Sequence, residues 1–437
     1  MDEDNSDSHR FTIQCFRLKV SPDKEVKRCL QMLTQTKELS LPNKWLKTQQ
    51  WSAFFKVLSS SASSDIKTLN LSYTNLQTKS LKGLATLLSS GGSCSDLKRL
   101  DLSGIDFHFK RGLGDIVRCI DDGDCCVKHL ELKDCKLQDK DLWKIFFQSV
   151  TDAGNTTIVP SSSNTTLTNL NLCSNKINGH GNLFRRLIYH FTTLCSLDLS
   201  WNHINHTGAR SLACALSGNN NLKCLNLSFN GVSDEGALEM AFMLEQNNTL
   251  EVLDIRENRI TNKGAEYLAS GLAVNTSLRS LNLSGNMITS LGMQRILVGV
   301  ITSGCVIREL HMKQISPDVL CMKAIQHLEE KNVHLSYGIP TLTKTNTFKG
   351  DSAFIVREEI FSEIRNFLAK ERLRIIDLFK MWDKRKTGEI SLDNLMTGLA
   401  SCGIPVTQAI LEHIFGVLDE NENNSLSYSE FLRIAKI

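Results

Sequence analysis

The sequence is short of the motifs that mark the commonest enzyme classes. It has no G-x-x-x-x-G-K-[ST] loop, no H-E-x-x-H and no G-x-S-x-G. That argues against a P-loop NTPase, a zincin protease and a hydrolase built on a nucleophile elbow. Twin C-x-x-C pairs are missing too, since Cys125 and Cys126 are adjacent and leave no zinc-ligand spacing. The eleven histidines are dispersed, and none stands in sequence beside a nucleophile and a carboxylate.

Other absences bear on location and partners. No run of about 18 apolar residues occurs, so no membrane-spanning helix is expected. The start, Met1-Asp-Glu-Asp-Asn-Ser-Asp, has neither the basic residues nor the apolar stretch of a secretory signal. The 14 cysteines are scattered, several of them inside a repeat, and read as reduced thiols of a cytoplasmic protein. Basic and acidic residues number 50 and 47, a formal net charge of +3, without a long Lys/Arg run. This balance argues against nucleic acid or a membrane surface as partner.

What is present is repetition. The pattern L-x-x-L-x-L-x-x-N/C-x-L appears as Leu167-Thr-Asn-Leu170-Asn-Leu172-Cys-Ser-Asn175-Lys-Ile177. It returns at Leu194 (with Asn202), Leu222 (Asn230), Leu250 (Asn258) and Leu278 (Asn286), and more loosely at Thr36, Ile66, Leu97, Val127 (Cys135) and Ile307. Successive starts are 27 to 31 residues apart, save one step of 40 between Val127 and Leu167. Each L-x-L reads as a short strand with its leucines on one face. The Asn or Cys ends the strand, where its polar atoms can satisfy backbone groups left open by the bend. A helix follows, clearest as Gly264-Ala265-x-x-Leu268-Ala269-x-x-Leu272. No single turn can bury its apolar face, so the turns must stack.

A period near 28 with G-A-x-x-L-A-x-x-L helices resembles the ribonuclease-inhibitor type of leucine-rich-repeat protein. The resemblance covers about residues 36–316 and implies an α/β fold: a right-handed solenoid, or horseshoe, with an inner parallel sheet and outer helices. It specifies fold far better than function. Residues 1–35 read as a tail and capping helix, 152–164 as a solvated Ser/Thr/Asn-rich insertion and 317–334 as a C-terminal cap. Residues 335–352 hold Gly, Pro and Thr without apolar periodicity and read as a linker. The remainder, 353–437, is expected to be a helix plus a small all-α module.

That module resembles an EF-hand pair over about 372–437, with loops beginning at Asp383 and Asp419, 36 residues apart. Such a loop needs oxygen ligands at positions 1, 3, 5, 7 and 9 and a bidentate Glu at 12. The second loop supplies Asp419, Asn421, Asn423, Ser425 through its carbonyl, Ser427 and Glu430. Asn424 replaces the usual turn glycine and tolerates the left-handed conformation. With only Asp419 and Glu430 charged, weak Ca²⁺ binding is expected. The first loop has Arg385 at position 3 and Asn394 at position 12, so no metal is expected there.

The residues between the strand leucines form a polar column: Ser40, Asn70, Asp101, Glu131, Asn171, Asp198, Asn226, Asp254, Asn282 and His311. Asn70, Asn226 and Asn282 also begin Asn-x-Ser triplets, which the repeat generates and which do not imply glycosylation. Just after the strand, Trp201 and Phe229 hold the same place in adjacent turns, and Tyr73 holds it near the start. Aromatics on a polar face are favoured interaction anchors, so Trp201, Phe229, Tyr73, Asp198 and Asp254 are the candidate partner-binding residues. The expectation is a non-enzymatic scaffold for a protein partner. The competing reading follows from the Ran GTPase-activating protein, a relative within the horseshoe class that uses an arginine in an early turn. Arg99 would be that arginine, although an EF-hand module replaces the family's acidic tail.

Overall fold

In a computed structural model the described residues are 6–60, 66–89, 94, 96–107, 112–121, 125–146, 166–302, 306–338, 351–371, 373–384, 386–404, 406, 408–419, 421 and 423–435. The expected insertion, 152–164, lies outside them, as does Arg385.

Eleven short strands form one sheet in sequence order: β1 (Glu38–Ser40), β2 (Thr68–Asn70), β3 (Arg99–Asp101), β4 (His129–Glu131), β5 (Asn169–Asn171), β6 (Ser196–Asp198), β7 (Cys224–Asn226), β8 (Val252–Asp254), β9 (Ser280–Asn282), β10 (Glu309–Met312) and β11 (His334–Tyr337). The first ten pair in parallel and in register, Leu69 beside Leu100 and Leu225 beside Leu253. Between consecutive strands runs a helix, as in His206–Leu216, Ser233–Gln246 and Asn262–Val274. The chain is a leucine-rich-repeat solenoid. None of the described helices is long and apolar enough to cross a membrane.

Contacts divide the chain into two compact units, 1–288 with 298–311, and 289–297 with 312–437. In the first, the strand leucines and the helix frame make one continuous core. Gly264, Ala265, Leu268, Ala269 and Leu272 are all buried. Glycine is required where neighbouring helices touch: a Cβ on Gly271 would sit 2.6 Å from the Ala241 carbonyl oxygen. The N-terminal cap is larger than the single helix expected. Helix Asp7–Arg17 precedes Lys24–Thr36, and Phe11 and Cys15, one turn apart, are fully buried.

The second unit contains the C-terminal cap and the EF-hand module. Here the expected linker needs correction, because His334–Tyr337 is a strand. Val333 and Leu335 alternate inward, each 8% exposed, and Gly338 N donates to Ile315 O at 3.0 Å. The period-2 pattern Val-x-Leu was masked by the Gly, Pro and Thr that follow it. The helix Asp351–Glu371 begins slightly before the expected boundary. It contributes Ile360, Phe361, Ile364 and Leu368 to the same buried cluster as Leu378, Phe379, Trp382, Leu411, Phe415 and Phe431 of the two hands. Arg365 Nη1 also donates to Ile434 O at 3.1 Å.

Candidate functional site

Where an Asn ends the strand, as from Asn175 to Asn286, it is the stack's main polar tie. Asn175, 5% exposed, accepts at Oδ1 from the N–H groups of Cys135 and Leu137, at 3.0 and 2.9 Å. Its Nδ2 donates to the carbonyls of Leu132, Leu172 and Cys173. Asn202, Asn230, Asn258 and Asn286 repeat this arrangement. One side chain thus satisfies backbone groups of two turns that the bend would otherwise bury unpaired.

The polar column has a structural task as well. Asp198 Oδ1 accepts from Ser200 N at 2.8 Å, and Asn226, Asp254 and Asn282 accept in the same way from the N–H two residues on. Neighbours are linked across turns, Asn226 Nδ2 to Asp198 Oδ2 at 3.1 Å and Asn282 Nδ2 to Asp254 Oδ2 at 3.3 Å. Burial pushes the Asp254 carboxyl above its ordinary range, outweighing the Arg256 N–H and guanidinium and the Asn282 amide that favour its ionised form. The two aspartates are therefore half-buried caps, and their Oδ atoms are already engaged.

The residue three places after each column position adopts a left-handed conformation in the first ten turns: Asn43, Tyr73, Gly104, Asp134, Ser174, Trp201, Phe229, Glu257, Gly285 and Gln314 all have φ between +52° and +72°. Bulky side chains seldom occupy that region, at a cost of roughly 1–2 kcal/mol each. Trp201 and Phe229 nonetheless do so. Their rings stack at a centroid distance of 4.0 Å and an interplanar angle of 11°. The Arg256 guanidinium lies 5.5 Å from the Phe229 centroid, a contact the sequence pattern did not reveal. Trp201 remains 56% exposed and Phe229 is half-buried. Tyr73 stands apart from this pair. It belongs to the second turn, four strand intervals from Trp201, or about 19 Å at ordinary strand spacing. Its ring instead covers Gly104, where a Cβ would lie 2.2 Å from Tyr73 Cδ1. Arg99, the arginine of the competing reading, donates to Glu131 Oε1 at 3.0 Å.

In the EF-hand pair, β12 (Glu389–Ile390) and β13 (Leu426–Ser427) join the two loops antiparallel, Ile390 against Leu426. Ser425 Oγ donates across to Glu389 Oε2 at 2.7 Å. In the second loop Asp419 accepts from Asn423 N and Asn424 N, Asn421 from Asn423 N, and Asn423 from Ser425 N. Asn424 takes φ +59°, as a position-6 residue must. Ser427 N and Oγ both donate to Glu430 Oε2, at 2.8 and 2.6 Å. Asp419 and Glu430 are each only 6% exposed. This donor set is all oxygen, with two buried carboxylates, and suits a hard cation. Among the described residues no three His, Cys, Asp or Glu cluster as a metal site, so amide, hydroxyl and carbonyl oxygens must complete the shell. In the first loop, burial raises the Asp383 pKa, but the N–H groups of Gly388, Thr387 and Lys386 and the Thr387 hydroxyl prevail and hold the carboxyl below its ordinary range. Asn394 brings no carboxylate, and its backbone N–H donates to Ser391 Oγ.

Comparison with known proteins agrees with both halves. Residues 191–213, 218–241, 246–269 and 274–297 match the leucine-rich-repeat model, and 372–436 match that of an EF-hand domain pair. The protein is thus a leucine-rich-repeat protein. More particularly, it combines that array with a C-terminal EF-hand pair. No curated protein sequence matches the chain. Similar solved structures include leiomodin-1 actin-binding site 2, at 20% identity and TM-score 0.28, covering 39% of this chain and 90% of that one. An internalin (inlF) of Listeria monocytogenes is 15% identical with TM-score 0.35, covering 72% and 89%. The structure of a TLR13–ssRNA13 complex is 17% identical with TM-score 0.37, covering 64% and 40%.

Proposed function

We propose that this protein is a non-enzymatic scaffold whose strand face grips a protein partner at the Trp201–Phe229 pair, and whose second EF-hand loop binds Ca²⁺ weakly. One observation carries the first part. Two large aromatic rings occupy adjacent left-handed positions, stack on each other, and leave the indole open to solvent. Packing within the array does not require this, because Asp134, Ser174 and Glu257 fill the same place in other turns. An exposed indole over a half-buried ring, flanked by Arg256, has the composition of an interface anchor. Asp198 and Asp254 hold the strand ends beneath the rings rather than contacting the partner through unengaged oxygens. The scaffold reading suits a reducing, cytoplasmic setting, where the thirteen described cysteines would remain the free thiols they are here.

The test is affinity purification of the full chain with and without Ca²⁺, with partners quantified by mass spectrometry. The double variant Trp201→Ala/Phe229→Ala should lose the principal partner, while the array stays folded by circular dichroism. Retention of every partner by that variant would remove the aromatic assignment.

The second part rests on the donor set of Asp419, Asn421, Asn423, the Ser425 carbonyl, Ser427 and Glu430. When bound, the cation would draw these oxygens together and neutralise two buried carboxylates. Because the helix Asp351–Glu371 already fills the apolar cluster of the two hands, Ca²⁺ acts here on a preassembled module rather than by baring an empty groove. Calorimetry of the full chain should show binding that Glu430→Gln abolishes. Absence of heat at millimolar Ca²⁺ would overturn this half alone.

A further inference from the structure

The residue just before each strand makes a column of its own. In the first four turns it is Lys37, Lys67, Lys98 and Lys128. These lysines stack in register: Lys67 N donates to Lys37 O at 2.9 Å, Lys98 N to Lys67 O at 2.9 Å, and Lys128 N to Lys98 O at 2.8 Å. At a strand spacing of about 4.8 Å, the four side chains leave the backbone along a line of roughly 14 Å. All four are exposed, and Lys67, Lys98 and Lys128 take part in no ion pair among the described residues.

Later turns handle the same column differently. It is uncharged at Thr168 and Cys195, then reads Lys223, Glu251, Arg279 and Arg308. Lys223 Nζ donates to Glu251 Oε1 at 3.0 Å, so this lysine is neutralised within the stack. Like charges set opposite one another in a sheet are unfavourable; the later turns stack one such pair, Arg308 N donating to Arg279 O at 2.7 Å, whereas the first four turns line up four. The neighbouring strand positions do not widen the positive field. Arg99 is closed on Glu131, and Asp101 stands beside it in the polar column. A nucleic acid calls for a broad basic face with aromatic platforms, whereas the ladder is a single column of lysines.

We propose that this lysine ladder is a docking strip for an acidic protein segment, best met by a helix with carboxylates at i, i+4 and i+7. Such groups repeat at about 5–6 Å along a helix, close to the ladder's own spacing. Each carboxylate then meets one ammonium, and the repulsion within the stack is relieved on binding. The strip is separate from the Trp201–Phe229 pair and stands or falls without it.

The test uses the full chain and fluorescence anisotropy at about 50 mM salt, where exposed charges are weakly screened. Three labelled probes are compared: a helix-forming peptide with Glu at i, i+4 and i+7, a peptide of identical composition with its three Glu adjacent, and a short single-stranded DNA. The spaced peptide should bind most tightly, and its affinity should fall steeply with added salt. The triple variant Lys67→Gln/Lys98→Gln/Lys128→Gln should weaken it by about tenfold or more, whereas Lys140→Gln/Lys263→Gln/Lys331→Gln, with the same charge change at unstacked sites, should cost less than about twofold. Trp201→Ala/Phe229→Ala should leave this binding intact. Should the ladder triple fail to fold, Lys98→Gln alone should still cost about threefold. No binding of the spaced peptide, equal losses in the two triple variants, equal binding of the clustered peptide, or tighter ladder-dependent binding of DNA would each overturn the proposal.

Discussion

In the repeat array Asp254 accepts a hydrogen bond from the backbone N–H two residues ahead, and in the second EF-hand loop Asn421 does the same. The local geometry is shared, but the surroundings differ. In the array the remaining oxygen meets an amide of the next turn, as Asp254 Oδ2 meets Asn282, so side-chain polarity closes the stack upon itself. In the loop Asp419 and Glu430 bring two formal charges into buried positions, where loop N–H and hydroxyl groups donate to them. In the array these side chains cap backbone N–H groups and bridge turns; in the loop they gather around two buried carboxylates.

The strongest way to break the array's half of this contrast is Asn175→Ala. It leaves buried N–H and C=O groups of two turns unpaired and should destabilise the array by about 4 kcal/mol, since each buried orphan costs roughly 1–3 kcal/mol. Denaturant unfolding checks this, and a loss below about 1 kcal/mol would mean that water or backbone shifts replace the amide. Next comes the loop. Glu430→Gln should remove calorimetric Ca²⁺ binding while leaving array stability unchanged, because only a carboxylate at position 12 can bind bidentately. The contrast between the two loops sharpens if Asn394→Glu together with Arg385→Asp gives the first loop measurable Ca²⁺ binding. If that variant stays silent, loop geometry rather than donor chemistry is what disables it.

The smallest expected effect is in proton titration. Asp254 should titrate above the free-carboxyl value near 3.8 and Asp383 below it. For Asp254 the folded state holds its proton more tightly than the unfolded one, so its contribution to stability declines as pH rises from about 3.8 through the raised folded value. For Asp383 the sign reverses: its contribution is present above about 3.8 and is lost as pH falls through the lowered folded value. Carboxyl-carbon NMR on selectively labelled chain reads both directions. Two upward shifts would show that burial, not N–H donation, governs both carboxyls.

Much of the architecture was legible because a repeat presents the same evidence many times. Leu167-x-x-Leu170-x-Leu172 and its copies name strand, bend and helix in order, and the strands lie where that pattern puts them. The EF-hand pair was equally readable, since its loops follow a fixed spacing, and residues 372–436 match an EF-hand domain pair. Signals seen only once were harder. The helix Asp7–Arg17 rests on Phe11 and Cys15 alone, and β11 on Val333 and Leu335 beside a Gly- and Pro-bearing stretch. The partner candidates were legible as a column but not as a patch. Sequence position put Tyr73, Trp201 and Phe229 in the same place of their turns, yet only Trp201 and Phe229 belong to adjacent ones.

Local patterns therefore determined the class of fold, the order of the strands and the presence of an EF-hand pair, because each is written in residues close together in the chain. Tertiary structure decided which equivalent positions become neighbours, that Asp198 and Asp254 are half-buried caps, and that Arg256 approaches Phe229. It also showed that Lys67, Lys98 and Lys128 stand in one line with no ion pair among the described residues, whereas Lys223 finds Glu251. The physical reason is that burial and pairing are properties of side chains brought together across turns about 28 residues apart, and no reading of one turn contains them.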